Sequence, residues 1–181
     1  INGIKQKLGL RNLPLRIEGY DISNISGEFS VASMVVFEKG EPARKEYRKF
    51  KIKTVSGADD YKSIREVISR RLNNLVECKE GFSKKPDLIL IDGGFGQLHE
   101  AKKIIDELDL DIKVISLAEK NEEICTCDLD RPIVLDLRDN ALRLLQRVRD
   151  ESHRFAITYH RKLRGKSLRS SISEIEGVGE Q

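Results

Sequence analysis

The run Leu88-Ile89-Leu90-Ile91-Asp92-Gly93-Gly94 is the most informative segment of this chain for its fold. Its first four residues are apolar without alternation, which indicates a strand covered on both faces at the centre of an α/β sheet. Pro86 opens this strand, which we predict over 87–92. The glycines that follow Asp92 allow the backbone to turn sharply. The sequence therefore predicts a central strand that ends in a carboxylate.

The residues before this strand predict an antiparallel meander. Alternating and β-branched patterns predict strands over Leu15–Ile22, Phe29–Phe37 and Lys45–Ile52. Short turns at Gly27 and at 39–42 join them. Strands joined by such short turns pair in opposite directions.

The rest of the chain alternates helices with one more strand. Apolar residues at steps of three and four predict a helix that begins after Asp59 and Asp60, and a second helix is predicted over Gln97–Leu108. Lys113–Leu117 is a further apolar strand, and Glu122–Leu135 is predicted to be irregular or a hairpin. The order predicts an α/β fold with a mixed sheet flanked by helices. The first helix shows its apolar spacing at Tyr61, Ile64, Val67, Ile68, Leu72, Leu75 and Val76.

The last predicted helix, Asn140–Leu163, combines a buried stripe with a basic face. Between Arg143 and Arg169 there are nine Lys or Arg residues against two acids. This nearly one-signed run favours binding to phosphate, and its alternative interpretation is a solvated helix face. The predicted stripe is Ala141, Leu145, Val148, Ser152, Phe155 and Tyr159, and the opposite side carries Arg143, Arg147, Arg154 and Arg161, with Arg149, His153 and His160 flanking the stripe.

Asp21 and Asp92 are the candidate catalytic residues. Each ends a predicted strand. Alternation with Leu15, Ile17 and Gly19 directs Asp21 toward a mostly apolar layer, and Asp92 ends the fully apolar strand, so each carboxylate needs a counter-charge. Two carboxylates at neighbouring strand ends can hold Mg²⁺ or Mn²⁺. In the alternative interpretation they are a turn residue and a strand cap that are hydrogen-bonded to backbone amides. His153 could complete such a site only if its helix packs beside both strand ends.

The glycine-rich turn after Asp92 allows a third interpretation. The sequence Asp-Gly-Gly-Phe-Gly-Gln over 92–97 resembles a phosphate-binding loop at a helix N-terminus, as in nucleotide-using α/β enzymes. It lacks the Lys-Ser/Thr ending of a P-loop and the spacing of a dinucleotide fingerprint.

Composition narrows the classes of protein that this chain can belong to. The 181 residues are 39% hydrophobic and 35% charged, which is typical of one globular domain. No apolar run approaches the roughly 20 residues that span a bilayer, and no signal peptide is evident, so we expect a cytoplasmic protein. A net charge of +3 does not by itself indicate a nucleic-acid partner.

Four blocks of the sequence together resemble the nuclease region of the UvrC family, the incision subunit of bacterial nucleotide excision repair. The resemblance implies an RNase H-like fold whose site is an aspartate, aspartate, histidine triad. These residues correspond to Asp21, Asp92 and His153. The blocks are Arg16–Ser23, Gly57–Tyr61, Leu90–Gly94 with Gln97, and Leu144–Ala156.

The resemblance also implies a function and partners. It implies metal-dependent cutting on the 5′ side of a DNA lesion, in complex with UvrB and after UvrA has located the damage. The competing hypothesis is a non-catalytic module that binds nucleic acid or protein. We divide the chain into a lead-in (1–14), the endonuclease domain (15–170) and a linker with a truncated start of a helix-hairpin-helix motif (171–181). The residues predicted to bind DNA are Gln97, Arg147, Arg149, Arg154, Arg161, Lys162 and Arg164.

Overall fold

The helices and strands follow the predicted order. The computed structural model describes residues 1–25, 29–55, 59–118 and 122–173, with side chains except at 24, 25, 29 and 159–173. A 3₁₀ turn, Arg44–Glu46, precedes the fourth strand. The helices are α1 (Asn2–Lys7), α2 (Asp60–Val76), α3 (Phe95–Glu107) and α4 (Asn140–Ser173); the strands are β1 (Arg16–Ile25), β2 (Phe29–Glu38), β3 (Glu41–Pro42), β4 (Arg48–Lys51), β5 (Leu88–Asp92), β6 (Lys113–Ala118) and β7 (Glu123–Cys125).

The strands form one mixed sheet in the order β3-β2-β1-β5-β6-β7, and β4 also pairs with β2. The β1–β2 pairing is antiparallel, which confirms the meander, whereas β1–β5 and β5–β6 are parallel. At the start of the parallel β1–β5 pair, the Arg16 amide donates to Asp87 Oδ2 (2.8 Å) and the Asp87 amide donates to the Arg16 carbonyl (2.9 Å). Because β1 and β5 run in the same direction, their carboxyl ends meet at one edge of the sheet.

Two apolar layers cover the sheet, one on each face. On β5, Ile89 and Ile91 pack in the layer beneath α2 and α3, while Leu88 and Leu90 pack in the layer beneath α1 and α4. All four side chains are at most 1% exposed. The prediction of a strand covered on both faces is therefore confirmed.

Several local predictions differ from the structure. The lead-in contains α1, which the sequence patterns did not predict, and its Ile4 is fully buried in the layer beneath α4. The third predicted strand begins later, because 44–46 form a 3₁₀ turn. Leu15 is 45% exposed because β1 begins only at Arg16, so its side chain does not join the apolar layer. Tyr61 and Val76, which close the apolar spacing of α2, are 57% and 55% exposed at its two ends.

The last helix is longer than predicted and keeps most of its stripe. It ends at Ser173 rather than at residue 163. Ala141, Leu145, Val148 and Ser152 are at most 1% exposed. The side chain of Tyr159, the turn at Gly27 and the helix-hairpin-helix segment from residue 174 lie outside the described residues. Within the part of the chain that the structure describes, no helix has both the length and the apolar character needed to cross a membrane.

A buried ionic cluster lies beneath α2 and was not predicted from the sequence. Arg71 and Glu18 are both fully buried, with Arg71 Nη2 donating to Glu18 Oε1 at 2.8 Å. Tyr20 donates to Glu18 Oε2 at 2.8 Å, and burial raises the pKa of the Tyr20 hydroxyl well above its usual value. Arg71 also donates to the carbonyls of Phe82 (2.9 Å) and Lys84 (2.7 Å). This cluster joins β1 and α2 to the segment that leads into β5.

α4 packs tightly against the sheet at Gly19. A Cβ atom at this position would lie 2.6 Å from Val148 Cγ1 and 3.1 Å from Val35 Cγ2. Glycine is therefore required at this point of β1 for α4 to pack at its observed depth.

We expect Gly19→Ala to destabilise the fold by about 1 to 3 kcal/mol, because the added methyl group overpacks the layer between β1 and α4. Thermal denaturation followed by circular dichroism measures this loss. Val148→Ala removes the atom that clashes, so the double variant should be more stable than the sum of the single losses predicts. Strictly additive losses would contradict this packing argument.

Candidate metal centre

Two neighbouring strands and one helix bring three potential metal ligands together. β5 ends at Asp92 as predicted, whereas β1 continues to Ile25, so Asp21 lies within its strand and not at the predicted end. Tyr20 pairs with Ile91 across β1 and β5, so the next residues, Asp21 and Asp92, lie side by side at the edge of the sheet. One ligand atom from each of Asp21, Asp92 and His153 lies within 4.8 Å of the other two. The structure thus brings together three residues that are far apart in the sequence.

The position of His153 depends on how α4 is anchored to the sheet. The hydroxyl of Ser33 donates to the carbonyl of Ser152 at 2.9 Å, and Ser33 is the residue of β2 that pairs with Asp21. Ser152 is itself fully buried. His153 is the next residue and its side chain is 61% exposed, with Nδ1 3.8 Å from Asp21 Oδ1. The helix therefore presents an accessible imidazole beside a nearly buried carboxylate.

Asp21 has one oxygen held by the protein and one directed at the histidine. Ser23 Oγ donates to Asp21 Oδ2 at 2.8 Å, while Oδ1 faces His153. The Asp21 side chain is 9% exposed. Burial of a carboxylate in this way is costly unless a cation or several donors satisfy it.

The turn after Asp92 is filled by a side chain of the protein. A Cβ at Gly93 would lie 1.3 Å from Gln97 Oε1, so the Gln97 amide lies directly against this turn. Gln97 Oε1 is buried and has no hydrogen-bond partner among the described residues. The space over Gly93 that a nucleotide phosphate would need is thus taken by Gln97, which argues against a phosphate-binding loop.

The three side chains fit a hard divalent cation. The two carboxylates suit Mg²⁺ and Mn²⁺, whereas an imidazole nitrogen is a ligand more typical of transition metals. Ligand atoms on opposite sides of one Mg²⁺ lie about 4.2 Å apart. A spacing of up to 4.8 Å therefore needs only small side-chain rotations to close on one ion.

Two of the predicted DNA-binding arginines border this site, and both are ion-paired. A groove of about 250 Å³ is lined by Asp92, Arg149, Asp150, His153, Arg154 and Ile157. Arg149 pairs with Glu122 (2.8 Å) and with Asp150 (2.9 Å). Arg154 pairs with Glu151 at 2.7 Å, and this hydrogen bond lowers the pKa of the Glu151 carboxyl.

The other predicted basic residues lie elsewhere or outside the described side chains. Arg147 is 3.3 Å from Glu41 and stands over the ring of Phe37 at 5.8 Å. Phe37 pairs with Ile17, four residues before Asp21, which places Arg147 roughly 13 Å from the site along the strand direction. The side chains of Arg161, Lys162 and Arg164 are outside the described residues. Their role in DNA binding stays a prediction.

Comparison with known proteins shows which family the chain belongs to. The model of the UvrC RNase H endonuclease domain matches residues 5–157. The chain belongs to this family. The UvrC family resemblance and the RNase H-like fold expected from the sequence are thereby confirmed.

Relatives of the UvrC family align along the whole chain. UvrABC system protein C of Syntrophomonas wolfei is 48% identical over 182 residues, covering 100% of this chain and 30% of the relative. The protein of the same name from Treponema denticola is 47% identical over 183 residues, covering 100% of this chain and 28% of the relative. The chain therefore spans less than a third of the length of these relatives. Among solved structures, human ENDOV is 18% identical with a TM-score of 0.39, over 57% of this chain and 46% of that chain.

Proposed function

We propose that this domain hydrolyses a phosphodiester bond in DNA with Mg²⁺ or Mn²⁺ held by Asp21, Asp92 and His153. The observation that carries the proposal is the convergence of these three side chains within 4.8 Å. Membership of the UvrC RNase H endonuclease domain family supports a nuclease. The non-catalytic alternative gives no reason for a nearly buried carboxylate to face a second carboxylate and a histidine.

The two aspartates and the histidine have different tasks in this proposal. A bound divalent ion lowers the pKa of water and shields charge on the phosphate. Asp21 and Asp92 hold the ion, and Ser23 fixes the orientation of Asp21 through its hydrogen bond. His153 is accessible from solvent, so its imidazole can bind the ion or take a proton from the attacking water.

The DNA backbone is bound by the basic residues along α4. Arg149 and Arg154 border the site and exchange their present carboxylate partners for phosphate oxygens when DNA binds. Arg147, Arg161, Lys162 and Arg164 of the same helix also contact the DNA backbone in this proposal, and Gln97 lies next to the turn after Asp92. Such contacts set the position of the duplex without reading its sequence, so binding is sensitive to salt.

The family suggests where the cut is made and with which partners. We infer that the domain makes the 5′ incision beside a lesion in nucleotide excision repair, in the cytoplasm. Its partners are UvrB and damaged DNA, with UvrA acting earlier. Two observations support this inference, namely the family assignment and the naming of the relatives as UvrABC system protein C.

Titration of the chain with Mn²⁺ by calorimetry tests the proposed metal site. We expect binding by the wild-type chain, and loss of most of it in both Asp21→Asn and Asp92→Asn, since each change removes a charged ligand. Asp111→Asn is the matched control. Asp111 is an exposed aspartate just before the start of β6, at the end of the parallel strands opposite to the site. Equal Mn²⁺ binding by all four proteins would favour the non-catalytic module.

A further inference from the structure

An exposed aromatic patch lies beside the metal centre at the same edge of the sheet. It consists of Tyr61 at the start of α2 and Phe95 and His99 in the first turns of α3. Tyr61 and Phe95 are both 57% exposed. The rings of Phe95 and His99 are nearly parallel, with an angle of 18° and a centroid distance of 6.3 Å. Large aromatic side chains exposed together in this way mark binding surfaces.

The position of Tyr61 in the patch is determined by its surroundings. A Cβ at Gly96 would lie 2.4 Å from Tyr61 Cε1, so the ring rests directly on the backbone of α3. The start of α2 is capped by Asp59, whose carboxylate accepts from the Lys62 amide at 3.0 Å. The ring therefore forms one wall of a groove of about 320 Å³ whose other lining residues are Phe95, Gly96, His99 and Glu100.

A second groove runs from the patch to the turn that follows Asp92. It has a volume of about 450 Å³, shares Tyr61 with the first groove and extends to Gly94 and Gln97. Gly94 belongs to the turn that follows Asp92, and the side chain of Gln97, in the first turn of α3, lies against that turn. Phe95 is three residues from Asp92, so their Cα atoms are at most about 11 Å apart. A nucleotide whose phosphate is at the metal centre can therefore place a neighbouring base at the patch.

The charges around the patch favour a base over a phosphate. Asp59, Asp60 and Glu100 line the two grooves. The nearby cations are engaged, because Lys62 pairs with Asp59 at 3.0 Å and Arg65 pairs with Glu100 at 3.2 Å. Carboxylates repel phosphate, whereas the aromatic faces accept an uncharged base by stacking.

We propose that the aromatic patch stacks an unpaired base of the DNA strand whose phosphate occupies the metal centre. The inference rests on the proposed nuclease function and narrows its substrate to DNA that is locally unpaired beside the scissile bond. A base in a duplex is covered by its neighbours, so its face becomes available only where the duplex opens. Stacking does not depend on base identity, so this recognition is independent of sequence.

Fluorescence of 2-aminopurine in the unpaired segment of a short DNA duplex tests the proposal. We expect the wild-type chain to quench this base on binding and to bind the fully paired duplex more weakly. Phe95→Ala and Tyr61→Ala should each weaken binding to the opened DNA on the order of tenfold and reduce quenching. Phe95→Trp retains a stacking ring and should preserve both effects, whereas Phe95→Leu retains only apolar surface and should lose the quenching.

The control variant is Val76→Ala, which removes an equally exposed apolar side chain from the far end of α2 and should leave DNA binding unchanged. Unaltered binding and quenching in both Phe95→Ala and Tyr61→Ala would overturn the proposal and leave the patch as a surface for protein contact. Absence of binding to the opened DNA by the wild-type chain would also overturn it. The Mn²⁺ titration tests the proposed metal site separately, because the patch contributes none of the three ligands.

Discussion

Asp92→Asn is expected to lower the rate of 5′ incision roughly 100- to 1000-fold, the range found when one preorganised electrostatic group is removed from an active site. Asparagine has almost the same shape as aspartate but carries no charge, so it binds a divalent ion poorly. The measurement is the rate of 5′ cutting by a full-length UvrC protein that carries this chain, assembled with UvrA and UvrB on a DNA with one defined lesion.

The fold should survive this substitution. Asp21 and Asp92 lie side by side, and two like charges in one site disfavour the metal-free protein. We therefore expect Asp21→Asn and Asp92→Asn to unfold at the same or a higher temperature than the wild-type chain when metal is absent. Asp111→Asn should match the wild type in both rate and melting temperature. Normal cutting by Asp92→Asn would exclude a catalytic role for this residue.

Arg71→Met is expected to give the largest loss of stability. It leaves the fully buried Glu18 carboxylate without its main counter-charge, and breaking a buried ion pair costs about 3 to 5 kcal/mol. For a chain of this length the melting temperature should fall by roughly 10 °C. Thermal unfolding followed by circular dichroism measures the shift.

The neighbouring residue provides the control for this variant. Arg70 also pairs with a glutamate, Glu66, at 2.9 Å, but its side chain is 36% exposed. Arg70→Met should therefore cost about 1 kcal/mol or less. Glu18→Gln combined with Arg71→Met removes both charges and should recover part of the loss. Equal effects of Arg70→Met and Arg71→Met would contradict the importance of burial.

Most of the strands and helices could be predicted because their sequence signals are local. The apolar run of β5, the aspartate that ends it and the aspartate on β1 are visible without knowledge of distant contacts. The distance between the two aspartates cannot be predicted in this way, since it depends on which strands become neighbours. The place of His153 was implied by family resemblance alone, because its anchor is the contact between Ser33 and Ser152, two residues 119 positions apart.

Two features were missed although the sequence contained a signal for one of them. Arg71 falls on the buried face of α2 with Ile68 and Leu72, and an arginine at such a position requires an acidic partner. In the structure this acidic partner is Glu18 on β1. The aromatic patch gave no such signal, because Tyr61 fits the apolar spacing of α2 and only the end of the helix exposes it.

The reciprocal bonds between Arg16 and Asp87 have a consequence for the proposed metal site at the other end of β5. Together with the carbonyls held by Arg71, they fix the alignment of this strand before it enters the sheet. A slip by a single residue would reverse the face of every side chain along β5. Asp92 would then point under α2 and α3, out of reach of Asp21, so the alignment of the proposed metal ligands is determined about five residues before Asp92.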